Sequence, residues 1–188
     1  MTKKYHFLTG NKLKFEIASE IFQKYGIELV QNKTEIPEIQ AETTGEVAKN
    51  SAKHGAYLLG VPVIVNDSGF FINSLGGFPG VFTKDINKKF SSQNLLDLMI
   101  RYVDRSVKSV GSTAFCIPGQ EPILFESVLT GKLAFESGGD FGNCFDELLV
   151  IDGLEKVRGA YSLVEIKEKV FSKLTDYHEM AKYLKTLG

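Results

Sequence analysis

The sequence predicts an α/β protein built on a mixed, elongated sheet flanked by helices, and three observations carry that reading. Short runs of β-branched and aromatic residues alternate with segments whose apolar residues recur every three or four positions. The opening reads strand, turn, helix, strand. A later segment alternates with period two, which adds antiparallel pairing to the β-α-β pattern.

Tyr5 to Leu8 is a short buried strand that runs into the turn Thr9-Gly10-Asn11. Phe15, Ala18, Phe22 and Tyr25 then mark one helical face, and Gly26 ends the helix. Ile27 to Val30 is the next strand. A second helix is expected from about Glu46 to Leu59, closed by Gly60. Val61 to Val65 is an apolar, β-branched run with Pro62 near its start, hence a buried strand, expected to stop at Asn66-Asp67-Ser68-Gly69. A loop, LGGFPG, follows at 75–80. Leu95, Leu96, Met99 and Tyr102 or Val103 give a third helix. From Ile123 to Phe135 the odd positions read Ile, Phe, Ser, Leu, Gly, Leu, Phe: one long strand, or a pair around Gly131. Phe145 to Ile151 is expected as another strand. The last segment places Leu163, Ile166, Val170, Leu174, Tyr177, Ala181 and Leu184 at helical spacing, and Asp176 with Glu179 predicts a capping box.

A chain of 188 residues buries about 70% of its unfolded surface without a metal or disulfide staple, and fits one domain over 1-188. With 43% hydrophobic and 24% charged residues, disorder, collagen repeats and coiled coil are excluded. The formal charge is −1, so no basic excess marks a duplex nucleic-acid partner, although a local basic pocket for a phosphorylated small molecule is compatible with it. Cys116 and Cys144 have no CxxC partner, which leaves neither a zinc site nor a disulfide framework. No run is long enough to cross a membrane and the amino end has no apolar signal core, so a cytoplasmic protein without a membrane partner is expected.

Three stretches could carry chemistry. T9-G-N-K-L-K14 lies between the first strand and the first helix, where outward N–H groups suit a phosphate. Gly10 admits a close ligand, and Lys12 and Lys14 can neutralise phosphate charge. The same residues also make a capped helix with exposed lysines. The second stretch is acidic: Glu35, Glu38 and Glu42 precede the second helix, and Asp67 follows VPVIV. Two carboxylates from separate segments, with phosphate oxygens, are what Mg²⁺ uses; alternatively Asp67 starts a turn and Glu42 is solvated. The third is G138-G-D-F-G-N-C-F-D146, where Phe141 or Phe145 could stack on a base or pack into the core.

Together these motifs resemble the inosine triphosphate pyrophosphatase (Ham1-type) family over nearly the whole chain. Thr9-Gly10-Asn11 and Lys14 match its TGN-x-x-K loop, Glu42 falls on its metal-linked glutamate, and Asn66-Asp67-Ser68-Gly69-Phe70 with Leu75-Gly76-Gly77-Phe78-Pro79-Gly80 match its [ED]-D-[ST]-G-L and LGG-x-PG segments. The resemblance implies hydrolysis of ITP, dITP and XTP to monophosphate and pyrophosphate, two lobes around a central substrate cleft, and a homodimer. It implies Mg²⁺ held through Glu42 and Asp67, with Asp67 orienting or deprotonating the attacking water. Thr9, Gly10, Asn11 and Lys14 would hold phosphates, and Ser68 and Gly69 complete the substrate-binding set. Phe145 would stack on the base, with Asp146 and Lys169 near its edge.

The chain also departs from the family pattern. Asn66 replaces an acid, two extra residues (Asn143 and Cys144) follow the DFG, and Glu147 stands for a proline. Glu168-Lys169 starts the terminal motif but no SHR follows; Tyr177 and His178 are candidate substitutes. The lysine expected in the second helix falls on Ser51, and Lys49 and Lys53 each lie about 200° around the helix from it. These departures leave two rivals open: a nucleotide-binding protein that has lost catalysis, and a pyrophosphatase with another base specificity.

Overall fold

The computed structural model describes residues 3–187. In chain order it has β1 (Lys3–Leu8), α1 (Lys12–Gln23), β2 (Ile27–Asn32), α2 (Thr44–Leu59), β3 (Val63–Ile72), β4 (Pro79–Gly80), α3 (Thr83–Asn87), α4 (Ser92–Leu98), β5 (Ser106–Cys116), β6 (Ile123–Leu133), β7 (Leu149–Ile151), α5 (Leu163–Lys169) and α6 (Thr175–Thr186). The strands form one seven-stranded sheet in the order β2-β1-β3-β5-β6-β7, with β4 beside β3. The pairs β1–β2 and β1–β3 are parallel, β3–β4 and β6–β7 antiparallel, so the sheet is mixed as expected.

The chain folds into two compact units. The first comprises residues 1–67, 111–127 and 171–188, the second residues 68–110 and 128–170. In the first unit, α1 lays Ile17, Ala18, Ile21 and Phe22 against Phe7 of β1 and against Tyr177, Met180 and Leu184 of α6. Each of the Ile, Phe, Met and Leu side chains contributes about 1.5–3 kcal/mol by leaving water. Helix α2 starts at a capping box between Thr43 and Glu46 and closes on Gly60, whose φ of 66° is left-handed. It packs through Ala48, Ala52 and Ala56 onto Leu8, Val63 and Val65. Gly55 lets the helix approach closely there, since a Cβ would come within 2.7 Å of Leu8 Cδ2 and that side chain would have to shift.

In the second unit, the later half of β3 pairs with β4, Phe70 opposite Gly80. Phe70 and Phe145 stack with centroids 5.0 Å apart. Arg105, 7% exposed, donates to the carbonyls of Leu133, Met99 and Ala134 and lies over the Phe135 ring.

Several expectations are corrected. β3 does not stop at Asn66 but continues to Ile72, so Asp67 lies within a strand. Of Phe145 to Ile151 only the last three residues are strand. The third helix ends at Leu98, leaving Val103 exposed, and β5 and α3 had no counterpart in the sequence reading. The Ile123 segment is a single strand. No side chain caps α6: Asp176 is inside the helix and buried, while Glu179 pairs with Lys182.

Candidate active site

In the first unit, the turn after β1 is built by its own side chains. Thr9 Oγ1 accepts from the Asn11 N–H at 3.1 Å, and Asn11 Oδ1 accepts from the Lys14 N–H at 3.1 Å, capping α1. Gln31 Nε2 donates to the Thr9 carbonyl and the Thr9 N–H to Asn32 O, which ties the turn to β2. The loop is thus a capped helix start, with the Asn11 and Lys14 N–H groups taken by its own side chains. A Cβ at Gly10 would meet nothing within 4 Å, so backbone lies open to a ligand there. Lys12 points outward to Glu16. Lys14 turns inward, its Nζ donating to the Asn66 backbone carbonyl at 3.3 Å. That contact brings the loop lysine to the segment carrying Asp67, whose Oδ2 is buried.

Glu42 is exposed just before the α2 capping box, and with Lys49 and Lys53 it lines a groove of about 470 Å³. Lys53 is committed to Glu121 at 2.5 Å. Ser51, on the position where the resemblance expects a lysine, is buried with its hydroxyl unpartnered. Beneath these residues runs a hydroxyl chain absent from the sequence reading. Thr44 and Ser112, both buried, share a hydrogen bond of 2.7 Å, and Ser112 Oγ donates to Glu126 at 2.7 Å.

Among the described residues no group of three or more His, Cys, Asp or Glu side chains is placed to hold a metal. Mg²⁺ rarely uses such a cage; it takes one or two carboxylates, water and substrate phosphates. Asp67, with its buried Oδ2, and exposed Glu42 are two such carboxylates, carried on separate segments of the first unit.

The second unit holds the other expected residues. Gly69 is buried, and a Cβ there would come within 2.5 Å of the Gly80 carbonyl, so its size serves the β3–β4 approach. Ser68 is half-buried and Lys169 exposed. Phe145 is fully buried, with one ring face on Phe70, so in this structure it is a core residue and not an open platform for a base. Asp146, 3% exposed, pairs with Arg158 and accepts the Asn143 N–H at 2.8 Å. Burial pushes the Arg158 guanidinium down to about 10, so it stays charged at neutral pH. Gly142, at φ 95°, is needed beside this pair, since a Cβ would overlap the Asp146 carboxylate.

Tyr177 and His178 do not replace the missing terminal motif. Tyr177 is core, edge-on to Phe7 and Phe22, and burial pushes its phenol well above the usual range. His178 Nε2 lies 2.7 Å from the Ser172 carbonyl and must donate to it, so Nδ1 accepts the Tyr25 hydroxyl at 2.8 Å.

A mixed α/β sheet whose first strand ends in a capped helix start, with a lysine led to a carboxylate-bearing strand, is a frame that suits phosphorylated small molecules. The Ham1 family profile matches residues 5–175. The chain is 40% identical to the dITP/XTP pyrophosphatase of Methanosarcina mazei over 148 residues, covering 79% of this chain and 80% of that protein. It is 30% identical to the dITP/XTP pyrophosphatase of Ignicoccus hospitalis over 98% of both. A HAM1 protein from Coxiella burnetii has the same fold, with a TM-score of 0.82 at 21% identity over 99% of this chain and 100% of that one. The chain belongs to the Ham1 family.

Proposed function

We propose that this protein is a nucleoside-triphosphate pyrophosphohydrolase that converts non-standard purine nucleotides, dITP, ITP and XTP, to the monophosphate and pyrophosphate. The observation that carries the reading is the full-length similarity to dITP/XTP pyrophosphatases, together with the Lys14–Asn66 contact that joins the phosphate-facing turn to the Asp67 segment. The two units are parts of one catalytic domain over 1-188, working as a homodimer in the cytoplasm.

The turn Thr9–Asn11 and Lys14 hold the distal phosphates and offset charge developing on the departing pyrophosphate. Asp67 orients water for attack at the α-phosphorus and takes its proton. Glu42 and Asp67 are the carboxylates that would hold Mg²⁺, which supplies charge neutralisation on the phosphate oxygens when bound. Ser68 and Gly69 follow Asp67 directly and complete the substrate-facing segment. Lys169, exposed, remains available to the base edge; Asp146 acts there only through Arg158, and Phe145 supports from within the core.

That internal commitment of Phe145 and Asp146 favours, as a second reading, a base preference different from that of the relatives. Pyrophosphate release from ITP, dITP, XTP, GTP and a pyrimidine triphosphate, with Mg²⁺ and with EDTA, decides between them. Metal-dependent release favouring ITP and XTP supports the first. A pyrimidine preference supports the second, and silence across the panel from folded protein leaves a non-catalytic binder. Asp67→Asn is expected to abolish turnover while keeping the fold.

A further inference from the structure

One face of the second unit has no part in the chemistry above. The turn that leaves α4 exposes Leu98, Ile100, Tyr102 and Val103, with Ile100 at 80% and Val103 at 96%. The segment that leaves β6 exposes Phe135 at 78%. Both segments belong to the second unit. Arg105 ties them together, its guanidinium donating to the Met99 carbonyl on one side and to the Leu133 and Ala134 carbonyls on the other. The Leu133 N–H returns a hydrogen bond to the Arg105 carbonyl at 2.9 Å. Met99, fully buried, pins the turn, and the Phe135 ring centroid lies 4.6 Å from Arg105 Cζ. The exposed apolar side chains therefore stand on two segments that share one anchor.

Apolar side chains exposed singly need no explanation, but a group of them marks a contact. At about 150–250 Å² for an aromatic side chain and roughly 100 Å² for an aliphatic one, these exposures amount to about 400–500 Å². A standard interface takes about 800 Å² per partner, of which about 57–65% is apolar. The face thus holds nearly all the apolar area that one side of a stable dimer needs. Phe135 is also held before any partner arrives, because its ring rests on a guanidinium fixed by three carbonyls. An aromatic anchor ordered in advance loses little freedom on docking. The charges around it are of both signs: Arg101 lies between Ile100 and Tyr102, Asp104 follows Val103 and Glu136 follows Phe135, all exposed. A nucleic acid or an anionic membrane selects a basic rim. A two-fold contact sets a patch against its own copy, and a rim of mixed sign then answers itself.

We propose that this face, centred on Ile100, Val103 and Phe135, is where a second copy of the chain docks about a two-fold axis. The proposal rests on the homodimer of the reading above and gives it a surface.

The test measures the dimer dissociation constant of the full chain by sedimentation equilibrium up to about 100 μM. Wild type is compared with Ile100→Glu, Val103→Glu and Phe135→Ser, and is expected to be a dimer at about 10 μM. Each variant should raise the dissociation constant about 30-fold or more, the loss that defines a central interface residue. Tyr57→Ser, at a residue 84% exposed on α2 of the first unit, should leave the constant unchanged. A purely structural role would lower the melting temperature and leave the association of the folded protein as it was. If Phe135→Ser does not fold, the Ile100 and Val103 variants make the same comparison.

A wild type that stays monomeric at about 100 μM overturns the proposal. Sedimentation of that monomer with vesicles of neutral and anionic phospholipid would give the face to a membrane instead. A dimer that persists in Ile100→Glu and Val103→Glu overturns the proposal too, as does a Tyr57→Ser change that is equally disruptive. The expected pattern without dITP turnover sinks the functional reading alone. Turnover from a dimer indifferent to this face sinks the docking surface alone.

Discussion

Replacing Arg158 by Met tests how the second unit holds its glycine-rich loop. The guanidinium is 13% exposed and its partner Asp146 is 4% exposed, so water screens the pair little. Without Arg158 the Asp146 carboxylate keeps the Asn143 N–H but faces the interior as an uncompensated charge. Breaking a buried pair from one side costs about 3–5 kcal/mol. Arg158 also lies 5.5 Å from the Phe70 ring centroid, a contact that adds roughly 0.5–2 kcal/mol. Against a total stability of about 5–15 kcal/mol, the loss is a large fraction. At about 2–4 °C per kcal/mol for a chain of this size, the combined loss of about 3.5–7 kcal/mol should lower the melting temperature by roughly 7–28 °C.

Asp146→Asn should cost less, because an amide oxygen still accepts from Arg158 and from Asn143. The double change Asp146→Asn/Arg158→Met should recover part of the loss, giving a positive coupling in a urea-denaturation cycle. An Arg158→Met cost below about 1 kcal/mol would refute the reasoning, since that is what an exposed pair yields. Normal stability of Asp146→Asn with a raised KM for dITP would instead make Asp146 a substrate residue.

Three further outcomes are expected. Gly142→Ala should destabilise by at least the roughly 1–3 kcal/mol of a forced left-handed φ, because its Cβ also overlaps Asp146; thermal unfolding reads it. Thr43→Ala removes the hydroxyl that accepts from the Glu46 N–H and should cost about 0.5–2 kcal/mol in urea unfolding. Lys14→Met should raise KM for the triphosphate and lower kcat, while leaving the melting temperature within about 2 °C in steady-state and thermal assays.

Local patterning carried the first unit well, where β1, α1, β2 and α2 obey their own periodicities and caps. It failed where tertiary pairing overrides local preference. Asn66-Asp67-Ser68-Gly69 has turn composition, yet it is strand, because the next residues, Phe70 and Phe71, pair with Gly80 and Pro79. β5 went unread because SVKSVGSTAFC is rich in small and polar residues; Ser112 and Thr113 are buried for their hydroxyl partners and not for apolar area. Phe145 to Leu148 has the apolar content of a strand, but Asn143 Oδ1 accepts the Phe145 N–H and holds the chain in a turn. The turn after β1, Glu42 and Asp67 were legible as residues. The hydrogen bond from Asn66 Nδ2 to Asp176 was not, because Asp176 lies far along the chain and its sequence neighbours advertise only a helix start.

The order of segments in the first unit bears on how the chain is made. Its core closes Phe7, Ile21 and Phe22 under Tyr177, Met180 and Leu184, and those covering residues follow far later in the chain. At about 5–20 residues per second, the early β-α-β portion waits roughly 8–30 seconds with that apolar face uncovered. Nascent chains of this protein should therefore depend on ribosome-bound chaperones until α6 emerges. Truncation just before Phe171 should yield an aggregating product, not a smaller folded one.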